Sequence, residues 1–385
     1  MGTSDVAAGG PAPLKGVRVL DFTQALSGPY ASMTLADLGA DVVKVEPPGR
    51  GDDSRHWGPP FLGADATYYH SVNRNKRSIV VDLKSEAGRV QVLRHAADVD
   101  VVIHNWRPGT AERLGLGYPE VSALNPRVVY CAISAYGSDR PDLAGYDQIV
   151  QGTTGVMTIT GPVGQPTKWG VPVGDIATGM FASMGVLAAL YDAARTGHGA
   201  LVEVSMEDSL LAMLTHHGAR QLVSDAPIPS TWNSHETIAP YGLFPTSDGH
   251  VNICVGNDDQ FQRMCGALAL EALSHDERFS TNPLRVRYKT DLVDALTAAT
   301  LTRTTDDVVT ALRAAGVPVG EVRNVAEALA DPRVRDRGMV LGFSRSDIDH
   351  GEVVNTPIRI DGQATRLRLP PPRLGEHSEM SQEDA

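Results

Sequence analysis

Apolar residues between 16 and 134 fall into two alternating textures. Runs of strand length, GVRVLDF (16–22), DVVKVE (41–46), SIVVDL (78–83), DVVIHN (100–105) and RVVYCAIS (127–134), are apolar almost throughout. Between them GPYASMTLADLGA (28–40) and SEAGRVQVLRHAA (85–97) carry apolar positions at helical spacing, the second with Ser85 placed to cap it. Apolar strands separated by helices predict a parallel sheet covered on both faces. The segment 175–197, DIATGMFASMGVLAALYDAARTG, is the most apolar helical stretch; it is predicted to be buried and to stop at Gly197. A strand, LVEVSM (201–206), and a helix over 207–223 follow.

The texture changes at 224–236, SDAPIPSTWNSHE, where Pro, Ser and Asn predict a linker. Beyond it YGLFPTSDGHVNICVG reads as a hairpin turning at Ser247-Asp248-Gly249, and helical spacing recurs at 258–270, 289–300 and 305–315. These elements define a small α+β domain over 237–315, set against a large α/β domain over 14–223. Strand-like pieces VPVGEV, MVLGFSR and EVVNTPIRI make 316–377 a return linker and a C-terminal part of the large domain. The polar ends, 1–13 and 378–385, read as disordered, and the whole tail GEHSEMSQEDA as frayed.

Charge and composition narrow the partners. A net charge of −12 disfavours nucleic acid and anionic membrane surfaces, though not a small anion held by a local basic patch. Cys131, Cys254 and Cys265 have neither metal-site nor redox spacing and read as free, packed thiols of a reducing compartment. The first residues lack a basic and an apolar region, so no secretory signal is read there. The longest apolar stretch, Met180 to Tyr191, is short for a bilayer, and a cytoplasmic location is expected.

Familiar chemical motifs are absent: there is no phosphate-binding Gly-rich loop ending in Lys, no G-x-S-x-G and no G-x-G-x-x-G after the first strand. His216-His217 is adjacent in a helix and so points in two directions, which does not make a metal site. Three features remain. The loop 23–29, TQALSGP, follows the first strand and opens a helix, either as a plain turn or as an anion site. Arg74, Lys76, Arg77 and Lys84, with Arg107 and Arg113, form basic clusters that suit several phosphates or a solvated face. Asp175 opens the most apolar helix after Val173-Gly174. It is either a helix cap or a carboxylate nucleophile, and the second role requires an oxygen left free.

Taken in order, GVRVLDFTQALSGPYASMTLADLGADVVKVEPPGRGD (16–52), NRNKRSIVVDLKSEAGR (73–89), VVIHNWRPGTAERLGLGY (101–118), GVPVGDIATGMFA (170–182), AGVPVGEV (315–322) and LGEHSE (374–379) resemble the family III CoA-transferases of the CaiB/BaiF type, from about Leu14 to His377. The resemblance implies a Rossmann-like large domain built from both chain ends, a small inserted domain, and an interlocked homodimer. It implies that Asp175 takes an acyl group from a CoA thioester as a mixed anhydride and passes through an aspartyl-CoA thioester to a carboxylic acid acceptor. Beyond the substrate coenzyme A thioester no cofactor or metal is implied. By motif position Gln24, Ala25, Leu26, Lys84, Asn105 and Arg113 are expected to touch CoA, whose phosphates would account for the basic clusters. Tyr146, Gln151, Trp169, His235 and Tyr241 are candidates for the acyl pocket. Leu26 stands where formyl-CoA/oxalate members carry Gln, Ala135 replaces a family lysine, and the glycine-run loop of those members is missing, so oxalate is not implied.

Two other readings stand beside this one. An α-methylacyl-CoA racemase would share the fold but needs two acid/base groups at the acidic carbon. Where the resembling segment of racemases reads A-G-H-D, this chain has Ala144-Gly145-Tyr146-Asp147, and a phenol of pKa about 10 is a poor base. A non-catalytic CoA-binding protein would keep the loop but has no need of Asp175.

Overall fold

The computed structural model describes residues 10–378. By contact the chain divides into two units. One comprises the residues up to Val156, Trp169–Ala226 and those from Asp331 onward; the other comprises Met157–Lys168 and Pro227–Ala330.

The first unit is built on six parallel strands: β1 (Arg18–Asp21), β2 (Asp41–Glu46), β3 (Lys76–Val80), β4 (Val101–His104), β5 (Val129–Ser134) and β6 (Ala200–Ser205). Their order across the sheet is β3-β2-β1-β4-β5-β6, the doubly wound arrangement in which the order of strand addition reverses between β1 and β4. Apolar residues on both faces of the central strands β1, β4 and β5 explain the continuous runs in the sequence. Val19, Val101, Ile103 and Cys131 face one core with α1 (Ser27–Asp37). Leu20, Val102 and Tyr130 face the other, with α2 (Glu86–Ala96) and α3 (Tyr118–Leu124). Ser85 caps α2 as its position predicted, accepting the Gly88 N–H at 3.0 Å.

After α4 (Asp147–Thr153) comes α5 (Val173–Thr196), which ends on Gly197 at φ +78°. It is 24 residues long and contains an 18-residue window of mean hydropathy 1.6, so by length and composition alone it matches a membrane span, which the shorter stretch Met180–Tyr191 did not. The expectation of all-round burial needs correction. Ala182 and Val186 lie in the sheet core, whereas Met180, Phe181, Met184 and Tyr191 are exposed. The helix read over 207–223 is two, α6 (Met206–Met213) and a second over Thr215–Val223, broken at Thr215 with φ +44°.

The basic cluster around β3 also resolves differently. Arg74 and Lys76 are fully buried; Arg74 pairs with Asp37 at 2.5 Å and Lys76 with Asp21 at 3.2 Å. Arg77 pairs with Asp41. Arg74 and Lys76 are thus committed in the interior and not available to phosphates, whereas the Arg77 pair reaches the surface. The tail read as frayed is partly bound: His377 N–H donates to the Ser78 carbonyl at 2.9 Å, and Val80 N–H donates to Ser378 Oγ at 3.0 Å. Residues 1–9 and 379–385 lie outside the described residues.

In the second unit β7 (Tyr241–Pro245) and β8 (His250–Cys254) form the hairpin read from the sequence, with the Thr246 N–H bonded to the Gly249 carbonyl at 2.9 Å. Helices α7 (Asp258–Ala267), α8 (Lys289–Thr300) and α9 (Thr305–Ala314) supply its core with Phe261, Leu292 and Leu312. A third strand, β9 (Val319–Glu321), pairs antiparallel with β8, so the small unit extends past 316.

Candidate active site

The loops after β1 and β4 meet at the carboxyl ends of the strands, where the strand order reverses. In doubly wound sheets that is where ligands bind. A cavity of about 530 Å³ opens there, lined by Gln24, Ala25 and Ser27 from the first loop and Asn105 to Pro108 from the second. Asp175 and Tyr146 also line it. The two loops are stitched together. Gln24 N–H donates to Asn105 Oδ1 at 2.9 Å, and Asn105 Nδ2 donates back to the Gln24 carbonyl at 2.7 Å.

Asp175 is the third residue of α5, not its cap. Pro172 stands at the cap position and has no side chain that can accept, so the free N–H groups of the first turn need a partner from elsewhere. Asp147, at the start of α4, provides it. Its Oδ1 accepts from Gly174 N–H at 2.7 Å and from Asp175 N–H at 3.3 Å. The other oxygen of Asp147 is held by Gln151 Nε2 at 2.6 Å, and Gln151 Oε1 accepts the Trp169 N–H at 2.9 Å. Gly174 fits this arrangement because a Cβ there would lie 3.0 Å from the capping oxygen. The Asp175 carboxylate is thereby released from its own helix and faces the cavity.

Its electrostatics follow from the same neighbours. Burial, and then the negative charge of Asp147, raise the Asp175 carboxyl to about 6, while the hydroxyl and N–H of Ser27 favour its charged form and pull the other way. Tyr68, also in the cavity wall, is pushed up to about 12 by burial and by the Asp175 charge, so it stands as a neutral phenol donor. Close approach of α5 to α1 depends on Gly179, where a Cβ would sit 2.7 Å from the Ser27 carbonyl oxygen.

Of the residues singled out from the sequence, Asp175, Gln24, Ala25, Asn105, Arg107 and Tyr146 share this cavity. Leu26 is buried against Met33 and Val72 and does not line it. Lys84 and Arg113 are exposed and stand outside the lining, with Arg113 bonded to Thr110 Oγ1 at 2.8 Å. Gln151 is fully buried and acts through Asp147, and Trp169 is bonded to it by backbone. His235 and Tyr241 belong to the second unit, where their rings lie 5.1 Å apart. Sequence reasoning gave no role to Ser27, Tyr68, Trp106 or Asp147. Asp147 carried a signal, as the acid ending the A-G-Y-D segment, but its distance of 28 residues from Asp175 hid the contact. Among the described residues that line the cavity, Arg107 is the only cation and there is no imidazole.

The strand-order switch thus holds a cavity walled by one carboxylate released from its own helix, a group able to act as a nucleophile. The chain belongs to CoA-transferase family III, whose model matches residues 14–378. It is similar to the succinate–glutarate CoA-transferase of Agrobacterium fabrum, 42% identical over 374 residues that cover 95% of this chain and 94% of that protein. It is also similar to the human succinyl-CoA:glutarate CoA-transferase, 37% identical with 95% and 84% covered. Among solved structures, a CaiB/BaiF family protein from Brucella suis superposes with a TM-score of 0.88 at 37% identity, covering 97% of this chain and 99% of that one.

Proposed function

We propose that this CoA-transferase moves coenzyme A between short dicarboxylic acids, with Asp175 as the covalent acceptor. An Asp175 oxygen attacks the thioester carbonyl of the donor, the C–S bond breaks, and a mixed anhydride and CoA thiolate form. The thiolate attacks the aspartyl carbonyl of the anhydride, giving an aspartyl-CoA thioester and releasing the donor acid as its carboxylate. An acceptor carboxylate attacks that thioester, thiolate leaves again, and its return to the acceptor's acyl carbon yields the new acyl-CoA and restores Asp175. Each step exchanges one activated acyl bond for another, so neither ATP nor a metal is needed energetically. Splitting the transfer into covalent steps, with donors near the developing oxyanion, lowers the barrier.

The observation that carries this reading is the division of labour between two carboxylates: Asp147 satisfies the helix and Asp175 is left for substrate. The dicarboxylate class rests on the activities for which the relatives are named, on succinate and glutarate. Arg107 is the lining group suited to an incoming or distal carboxylate. Gln24, Ala25 and Asn105 are proposed to hold the coenzyme, with Leu26 shaping their loop from beneath and Lys84 and Arg113 meeting its phosphates at the surface. A homodimer in which a second copy covers the exposed apolar side of α5 at Met180, Phe181, Met184 and Tyr191 completes the proposal. The absence of any imidazole from the cavity lining, among the described residues, weighs against the racemase.

The test is a matrix of short acyl-CoA donors and carboxylic acids read by mass spectrometry. Exchange is expected with C4 and C5 dicarboxylates and to be weak with monocarboxylates of the same length. Failure of every pair to exchange would reject the transferase; equal rates with monocarboxylates would reject the substrate class.

A further inference from the structure

Under the loop that follows β1 lies an ion pair that the proposed chemistry does not use. Lys44 and Asp52 are both fully buried, with Lys44 Nζ 2.9 Å from Asp52 Oδ2. Taking two charges out of water is costly, and an apolar pair of similar volume is often no less stable. What this pair does that an apolar pair cannot is hold backbone. Lys44 Nζ donates to the Thr23 carbonyl at 2.6 Å, and Asp52 Oδ1 accepts the Ala25 N–H at 3.1 Å. Ala25 sits at φ +66°, in the left-handed region that L-residues with a Cβ disfavour, so the loop needs a tie to stay there.

The same carboxylate organises the facing wall. Asp52 Oδ1 also accepts Ser54 N–H at 2.9 Å and Ser54 Oγ–H at 2.8 Å, which caps the short turn Asp53–His56. That turn brings Asp53 and Trp57 to the cavity. Asp52 is itself fixed from behind: its N–H donates to Glu46 Oε2 at 2.9 Å, and Arg55 grips Glu46 at 2.7 and 2.8 Å. Thus one buried carboxylate ties both loops to the sheet.

We infer that Asp52, anchored by Lys44, is a positioning residue that sets affinity for the coenzyme by holding Ala25 left-handed and keeping Gln24 and Ala25 turned to the cavity. The inference rests on the reading that residues 24–26 hold CoA. Asp52 acts on binding, whereas Asp175 carries the chemical step. Burial opposes both charges, but each is the other's main counterion; Asp52 is held below the usual carboxylate range and Lys44 above the usual amine range, so the tie stays charged at working pH.

The test measures free CoA binding by calorimetry, together with kcat and KM for succinyl-CoA, on Asp52→Leu, Lys44→Met/Asp52→Leu and Ala25→Gly/Asp52→Leu. Losing a tie that offsets the left-handed cost is expected to weaken CoA binding about tenfold in the first two variants. kcat at saturating thioester is expected to stay within about threefold. Adding Ala25→Gly should recover most of the affinity, because glycine takes a positive φ without a steric penalty. If Asp52→Leu leaves Lys44 too poorly compensated to fold, the doubly neutral variant carries the measurement. Unchanged CoA affinity in a folded variant, or no recovery with glycine, overturns the inference while leaving the function intact. A native protein that binds no CoA overturns the functional reading and this inference with it.

Discussion

Asp175 shows how far one residue's role is set by groups remote in sequence. Aspartate at the head of a helix reads as a cap, and the local sequence holds nothing to say otherwise. The cap comes instead from Asp147, and only the fold brings it within 3.3 Å. Asp175 then carries a cost. A carboxyl whose folded pKa of about 6 exceeds its ordinary value of 3.8 binds its proton more tightly in the native state. The fold is therefore unpenalised below the ordinary value and bears the full penalty above about 6. Asp175→Asn should be more stable than the native protein at pH 7.5, on the order of 1–3 kcal/mol, with the gap closing toward pH 4. Denaturant unfolding at the two pH values checks this, and a variant less stable at pH 7.5 would contradict it. The rate of Asp175 acylation should fall as pH drops below about 6, since the protonated acid is no nucleophile. Asp147→Asn keeps an oxygen for the helix amides but removes the charge that raises Asp175, so its pH–rate midpoint should move to lower pH. An unmoved or higher midpoint would mean that Asp147 does not tune the nucleophile.

At the scale of elements, most of the large unit was legible. Apolar runs became β1 to β5 because both faces of those strands are covered, whereas the edge strand β6 leaves Leu201 and Glu203 exposed; helical spacing located α1 and α2 within a few residues. What periodicity missed were tertiary facts. The exposed side of α5 is as apolar as its buried side, so nothing in the spacing of its residues tells the two apart. Arg74 and Lys76 look like a basic surface until Asp37 and Asp21 are seen beside them in the core. The contact between α1 and α5 was hinted at only by Gly179, which permits it. Gly179→Ala would press a Cβ against the Ser27 carbonyl, a backbone atom that cannot swing away. Overpacking of this kind should cost about 1–3 kcal/mol. The displaced Ser27 should also lower the rate of Asp175 acylation, which stopped-flow thioester consumption would reveal. Native stability and rate in this variant would show that the helices have slack at their crossing.

At the scale of the molecule, the distant C-terminal segment closes the sheet. β3 is an edge strand, and residues 375–378 cover its free N–H and carbonyl groups, while the Pro372 carbonyl accepts from the buried Arg55 guanidinium at 3.3 Å. Open edges invite pairing with other chains. Truncation after Pro370 should therefore lower the melting temperature and promote aggregation, followed by light scattering; a truncated chain as stable and soluble as the whole would refute that role. The sequence offered the segment LGEHSE only as family text, since its partner strand lies some three hundred residues earlier. Cap and crossing both position the carboxylate that the proposed function makes the acyl acceptor. Intact-mass spectrometry of the protein mixed with succinyl-CoA measures this directly. A covalent acyl or CoA adduct on the native chain that disappears in Asp175→Ala is the expected result; an adduct that survives the substitution, or none on the native chain, would contradict it.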